Sequence, residues 1–307
     1  GVREGGQGRG EGGRGGRADA GASRVAVAGM AGEGGGSLLE GWVMGGRSVQ
    51  RRSVAGGFVL GVDRGLGVRG GGVVVTGTAL AGQVRAGDTL LLGKAGKPVR
   101  VRGLHAQNQP ALVAEAGQRV ALNIAAERLA VEHVRRGDWL VPQWLHAPSV
   151  RVDIELHLLP GEGRVFEHFN AVHVHLGTQD VTARVALLEG PSLAPGQRMF
   201  AQLLLNAPLQ AVHGDRLVLR DQRAQHTLGG GRVLDPFAPS RQRRREQRLQ
   251  QLQVLRDAPG LEQALPGLLA SAAGGIDPQR LLRQFNRLRT TWALPEALQP
   301  TATPPSH

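Results

Sequence analysis

Five apolar side chains, Val150, Val152, Ile154, Leu156 and Leu158, alternate without a break with Arg151, Asp153, Glu155 and His157. A period of two puts the apolar set on one face and the polar set on the other, the pattern of a half-buried strand. From Phe58 onward the chain is made of pieces of this kind. Residues 58–60, 73–75, 89–92, 99–102 and 119–124 are apolar or alternating, and Gly87-Asp88, Gly93, Gly96 and Ala116-Gly117 punctuate them. Such closely spaced strands with glycine turns over 58–147 predict a small closed antiparallel barrel. A second unit over 148–236 opens with the alternating run, with further strands expected over 171–175, 181–188, 198–205 and 215–220. The period then changes. Leu249, Leu252, Val254 and Leu255, and later Leu281, Leu282, Phe285 and Leu288, have helical spacing, and Asp277-Pro278 reads as an N-cap followed by proline at the first helical position. The expected fold class is mainly β, two consecutive small antiparallel β-barrels followed by a helical region over 237–307.

The first 57 residues differ in kind. They hold 20 of the 47 glycines, with 8 Arg and 5 acids, and no apolar period beyond a short patch at 25–30. Such text cannot bury a core and is expected to be disordered. Its abrupt end at Phe58 suggests a shifted reading frame in GC-rich DNA, which readily yields Gly and Arg codons; the other reading is an Arg/Gly tail that binds RNA.

Composition bounds the rest. The formal net charge is +12, carried by 35 Arg and only 2 Lys, which favours a polyanionic partner such as nucleic acid. The absence of cysteine excludes a disulfide framework, a thiolate metal site and a Cys nucleophile, and makes a cytoplasmic location the expectation. No run approaches the length of a membrane span, so no membrane partner is expected.

Several chemical motifs fail on inspection. Gly65-Leu66-Gly67-Val68-Arg69-Gly70 fits the dinucleotide fingerprint, but a strand-like Val73-Val74-Val75 follows where the fingerprint needs a helix N-terminus. A phosphate-binding G-x-x-x-x-G-K-[ST] loop is absent, as are a nucleophile elbow and an H-E-x-x-H helix. His173 and His175 share one strand face, with His168 nearby, and neutral imidazoles so spaced suit zinc or copper. No carboxylate or Cys stands at a ligand-like spacing beside them in the sequence, so no metal is expected there and the face reads as RNA-facing or solvated.

The residues themselves resemble a known family. Phe58-Val59-Leu60-Gly61-Val62-Asp63-Arg64, then 72–82 and Val84-Arg85-Ala86-Gly87-Asp88, resemble the second domain of translational GTPases of the elongation factor Tu type. The stretch 99–110, with Ala116-Gly117-Gln118-Arg119 and Arg136-Gly137-Asp138-Trp139-Leu140, narrows the likeness to bacterial selenocysteine-specific elongation factors. It persists through 181–189 and 215–221, in that family's third domain, and weakens after Pro236, where Gly274-Gly275-Ile276-Asp277 resembles the start of a winged-helix module.

The resemblance implies two barrels that grip aminoacylated tRNA and a partial winged-helix module over 237–307. It implies selenocysteinyl-tRNA and the ribosome as partners and, in full-length members, an mRNA insertion hairpin, with delivery at recoded UGA codons. Full-length members use GTP and Mg; the GTPase domain expected before Phe58 is not recognisable, so the chain reads as an internal fragment, a monomer without catalysis or cofactor. The selenocysteine pocket carries over to Asp63, Arg64 and Arg119. Candidates for holding tRNA phosphates are His173, His175, Arg184 and Arg220. A DNA- or RNA-binding regulator acting through the C-terminal helices, or a truncated product without function, are the alternatives. One geometric point stays open: neighbours in a regular strand face opposite ways, so Asp63 and Arg64 share a pocket only if the strand bends there.

Overall fold

A computed structural model describes residues 53–68, 72–272 and 275–288. The expectations for 1–52, for the turn at 69–71 and for the chain from 289 onward lie outside these residues. The first nine strands are β1 (Val59–Val68), β2 (Gly72–Ala81), β3 (Gln83–Arg85), β4 (Thr89–Leu92), β5 (Lys97–Ala106), β6 (Gln109–Ala111), β7 (Val113–Glu115), β8 (Arg119–Ala125) and β9 (Trp139–Val141). Their order is β4-β9-β1-β2-β8-β5, and β5 pairs again with β4, so six strands close a barrel with β6 appended and β3–β7 as a separate ribbon. Alternation supplies the core: Val73, Val75 and Ala79 from β2 meet Val120, Leu122 and Ile124 from β8, all buried. The fingerprint-like glycines 65 and 67 lie on β1, which is paired with β2.

The second set is β10 (Ser149–Leu158), β11 (Phe166–Glu167), β12 (Asn170–Leu176), β13 (Gln179–Leu187), β14 (Ser192–Leu193), β15 (Arg198–Leu209), β16 (Arg216–Arg220) and β17 (Thr227–Asp235). A closed barrel runs β10-β15-β13-β12-β16-β17. Val152, Ile154, Leu156 and Leu158 are fully buried within it. The strand that closes it, β17, was not among the expected strands. Its Gly229-Gly230-Gly231 reads as a breaker, yet a Cβ on these residues would stand 2.3, 2.8 and 2.5 Å from the backbone carbonyl oxygens of His157, Leu217 and Glu155. Glycine is needed because the neighbouring strands press on β17 from both sides.

Three helices follow, α1 (Glu246–Asp257), α2 (Leu261–Ser271) and α3 (Pro278–Gln284). The Asp277 side chain accepts from the Gln279 N–H, the N-cap read from sequence. Helix α2 was not anticipated, since it contains Pro266 and Gly267. Its Leu261, Ala264, Leu265 and Leu268 form one core with Leu252 and Leu255 of α1, Leu281 and Leu282 of α3, and Leu188, Phe200 and Leu234 of the second barrel. The helices therefore pack on the barrel wall and share a core with it. The second residue after α3 reaches farther: the Asn286 side chain accepts from the Gly57 N–H at 2.8 Å and donates to the Gly57 carbonyl at 3.0 Å. Arg283 Nε donates to the Trp144 carbonyl at 2.8 Å, between the barrels. Residues near α3 thus fasten the entry of the first barrel and the linker to the helical layer. No helix among the described residues is long and apolar enough to cross a membrane.

Candidate functional site

The open question about Asp63 and Arg64 is answered by the register of β1 on β2. Val62 lies opposite Gly77 and Arg64 opposite Thr76, so Asp63 is an extra residue, a β-bulge. A bulge sets two residues against one and turns the strand, which frees Asp63 and Arg64 from strict alternation. Asp63 Oδ1 accepts from the Thr76 hydroxyl at 2.6 Å, and its Oδ2 is ion-paired with Arg119 Nη1. Arg119 begins β8, opposite Thr78, and its own N–H donates to Gln107 Oε1 at 2.8 Å. Burial raises the Asp63 carboxyl's pKa, but the hydrogen bonds from Arg119 and Thr76 and the charges of Arg119 and Arg64 outweigh it, so the net shift is below the usual carboxylate value. Arg64 is exposed and Arg119 half exposed. Of the three residues carried over from the resemblance, Asp63 and Arg119 are ion-paired, and exposed Arg64 adds its charge to the field at the Asp63 carboxylate.

The four residues read as phosphate-binding lie on the outer face of the second barrel. His173 on β12 stands opposite Thr182 on β13 and Arg220 on β16; His175 stands opposite Asp180 and Val218. Arg184 lies two pairs farther along, opposite Ala171, where its Nη1 donates to the Phe169 carbonyl at 3.3 Å. It also lines a small depression with Arg151 and Asn206. Arg220 Nη2 donates to the Gln225 carbonyl at 3.2 Å. The structure thus brings His173, His175 and Arg220 together and sets Arg184 at the edge of the same face. His168 stands apart, beside Arg244 and Phe169.

Sequence reasoning missed two things here. The Gly177-Thr178 hairpin folds Asp180 back against the histidines, with Oδ1 at 3.0 Å from His173 Nδ1 and 3.8 Å from His175 Nδ1. The signal was the short turn, since two residues between strands fix which positions oppose each other. A cleft of about 620 Å³ also lies between the barrels, lined by Lys94, Lys97, Arg135 and Arg136 together with Glu132 and Asp180. No local motif could show it, because its walls come from both barrels.

The arginine cluster at 241–248 is partly committed to structure. Arg248 bridges the buried carboxylates of Asp153 and Asp235. Arg244 Nη2 donates to the Leu187 carbonyl at 2.7 Å.

Residues 72–141 match the family described as elongation factor Tu domain 2, and residues 151–240 the family described as selenocysteine-specific elongation factor, beta-barrel domain. A selenocysteine-specific elongation factor of Escherichia coli strain K12 is 41% identical over 229 residues, 75% of this chain and 35% of the relative. That of Haemophilus influenzae is 35% identical over 62% of this chain and 30% of the relative. That of Desulfomicrobium baculatum is 34% identical over 71% and 34%. The chain therefore spans about a third of the length of these relatives. A crystal structure of a bacterial selenocysteine-specific elongation factor superposes with a TM-score of 0.61 at 20% identity, covering 82% of this chain and 40% of that one, which supports the fold.

Proposed function

We propose, on the premise that both barrels belong to the selenocysteine-specific elongation factor family, that this chain binds selenocysteinyl-tRNA and holds its aminoacyl group at Asp63, Arg64 and Arg119. The observation that carries the reading is the bulge at Asp63, which frees Asp63 and Arg64 from strict alternation beside the Asp63–Arg119 ion pair. A selenol is far more acidic than a hydroxyl, so selenocysteine is largely an anion at neutral pH while its precursor serine is neutral. Two guanidinium groups and one carboxylate leave a formal charge of +1, which one selenolate cancels and a serine hydroxyl does not. Charge-assisted hydrogen bonds contribute roughly 1.5–3 kcal/mol each, so two arginine donors support a preference of about a hundredfold or more.

Asp63 has a positioning role in this scheme. It fixes one edge of Arg119, and Thr76 fixes Asp63, so the side-chain entropy of Arg119 is partly spent before the ligand arrives. The tRNA body is then held on the outer face of the second barrel through phosphate contacts from His173, His175, Arg184 and Arg220, which position it without reading sequence. Delivery to the ribosome at recoded UGA codons is the wider role we infer, with helices α1 to α3 as the start of a winged-helix module that serves the insertion hairpin. We assign this chain no GTP hydrolysis of its own, and read it as a cytoplasmic monomer.

The test is a titration of the chain with selenocysteinyl-tRNA and seryl-tRNA built on the same tRNA body, at a stated salt concentration. A strong preference for the selenocysteinyl form is expected. Equal affinities would remove the pocket assignment while leaving the phosphate contacts standing.

A further inference from the structure

We propose that His173, His175 and Asp180 form a binding site for a divalent transition ion, zinc by its ligand preferences, on the outer wall of the second barrel. Each of the three offers a donor atom, and these atoms all lie within 4.8 Å of one another. A tetrahedral zinc with bonds of about 2.0–2.2 Å needs its ligand atoms roughly 3.3–3.5 Å apart. The Asp180 oxygen is 3.0 Å from one imidazole nitrogen and 3.8 Å from the other, distances that bracket this separation.

The scaffold is suited to hold it. His173 and His175 stand two apart on β12, and their rings lie nearly parallel, 18° between planes, with centroids 6.2 Å apart. Asp180 lies on β13 directly opposite His175, across a hairpin pinned by seven consecutive residue pairs. A donor set on paired strands inside a closed barrel is held more firmly than one on a loop. The histidine side chains are 25% and 29% exposed and Asp180 is 52% exposed, so an ion has a path in and a fourth position open to solvent. Two neutral imidazoles and one carboxylate suit zinc better than calcium or magnesium, which prefer oxygen-only shells. Arg220, opposite His173, adds positive charge at the edge of the site and limits affinity; the Asp180 carboxylate offsets it.

The site is separate from Asp63, Arg64 and Arg119, so it stands whether or not those residues bind selenocysteine; it shares His173 and His175 with the proposed phosphate face, so ion binding and direct phosphate contact are alternative uses of these two side chains.

The experiment uses the full chain, stripped of metal and titrated with Zn²⁺ by calorimetry and with Co²⁺ by visible absorption. One equivalent of tight binding and the intense bands of tetrahedral Co²⁺ are expected. His175→Gln and Asp180→Asn should each weaken binding by about tenfold or more, with unchanged circular dichroism. The chain has 10 histidines, so His105→Gln with His226→Gln serves as the control for scattered surface binding and should leave the titration unchanged. Zn²⁺ affinity equal in all variants, or weaker than about 100 μM in the unaltered chain, overturns the proposal. Absence of tetrahedral Co²⁺ bands in the unaltered chain overturns it too, without reliance on any variant.

Discussion

Arg119 of β8 is ion-paired with Asp63 of β1 across the whole width of β2, the strand that lies between theirs. Thr76 of β2 closes the arrangement from beneath by donating its hydroxyl to the other carboxylate oxygen. The pair is therefore a tie over three strands, and its geometry depends on the bulge that releases Asp63 from alternation. Arg119→Ala should lower affinity for selenocysteinyl-tRNA by about a hundredfold, the worth of one to two charge-assisted hydrogen bonds, and change seryl-tRNA binding little. The ratio of the two affinities is the quantity to measure. Equal losses would make Arg119 a phosphate contact.

The same carboxylate gives a pH prediction. The folded pKa of Asp63 is lowered, so the folded state binds this proton less readily than the unfolded chain. Its contribution to stability is present above the unfolded carboxylate value, about 3.9, and is lost as pH falls through the lower folded value. Asp63→Asn removes that dependence. In urea titrations between pH 3 and 6 the variant should be less stable than the unaltered chain at the upper end, and the gap should narrow toward the lower end.

Much of this fold is legible in the sequence because each barrel wall has one wet and one dry face. The alternation appears as β10 with Val152, Ile154, Leu156 and Leu158 buried, although Val150 is exposed beside the irregular pairing at the strand's start and Asp153 is buried, and the Asp277-Pro278 signal appears as the start of α3. What was not legible follows from through-space effects. Three consecutive glycines carry no alternation from which a strand could be read, and only the approach of β10 and β16 explains why β17 needs them. Helix α2 carries Pro266 and Gly267, both poor helix formers, and is held by the apolar core it shares with α1 and the barrel. The proposed pocket residues came from family likeness rather than from periodicity. The register explains how Asp63 and Arg64 can cooperate, and the hairpin reveals Asp180 beside the histidines.

Gly231→Ala tests the reading of β17. The added Cβ would stand 2.5 Å from the Glu155 carbonyl oxygen, a backbone atom that cannot swing away. Overpacking of this kind costs about 1–3 kcal/mol, and the loss should appear as a lower denaturation midpoint with an unchanged slope. Gly214→Ala is a weaker comparison, because open space surrounds its Cβ position but its φ of +88° is itself strained. Gly161→Ala meets nothing within 4 Å, carries no positive φ and should be nearly neutral.

Arg248 carries the last prediction, since it joins α1 to the second barrel through two acids. Its guanidinium is ion-paired with Asp153 and Asp235, which are 0% and 3% exposed. Asp235 also has Arg280 at 3.3 Å, and Asp153 a hydrogen bond from Gln202 at 2.9 Å. Arg248→Met keeps much of the aliphatic stem but leaves Asp153 with no ion-pair partner among the described residues, and breaking a buried pair from one side costs about 3–5 kcal/mol. Burial already pushes the Asp153 carboxyl above its usual value, against the pull of Arg248 and with the nearby Asp235 charge adding to the rise. Removing Arg248 takes away the opposing pull, so the folded variant binds this proton still more tightly than the unfolded chain does. A raised folded pKa means stability that is fully present below the unfolded value and lost as pH rises through the folded one. The deficit of Arg248→Met relative to the unaltered chain should therefore be largest near neutral pH and shrink toward pH 4, as read by thermal melts. Asp153→Asn in the same background should recover part of the loss at neutral pH, because it removes the stranded charge while keeping an acceptor for Gln202. A deficit that is independent of pH would show that the guanidinium acts through packing alone.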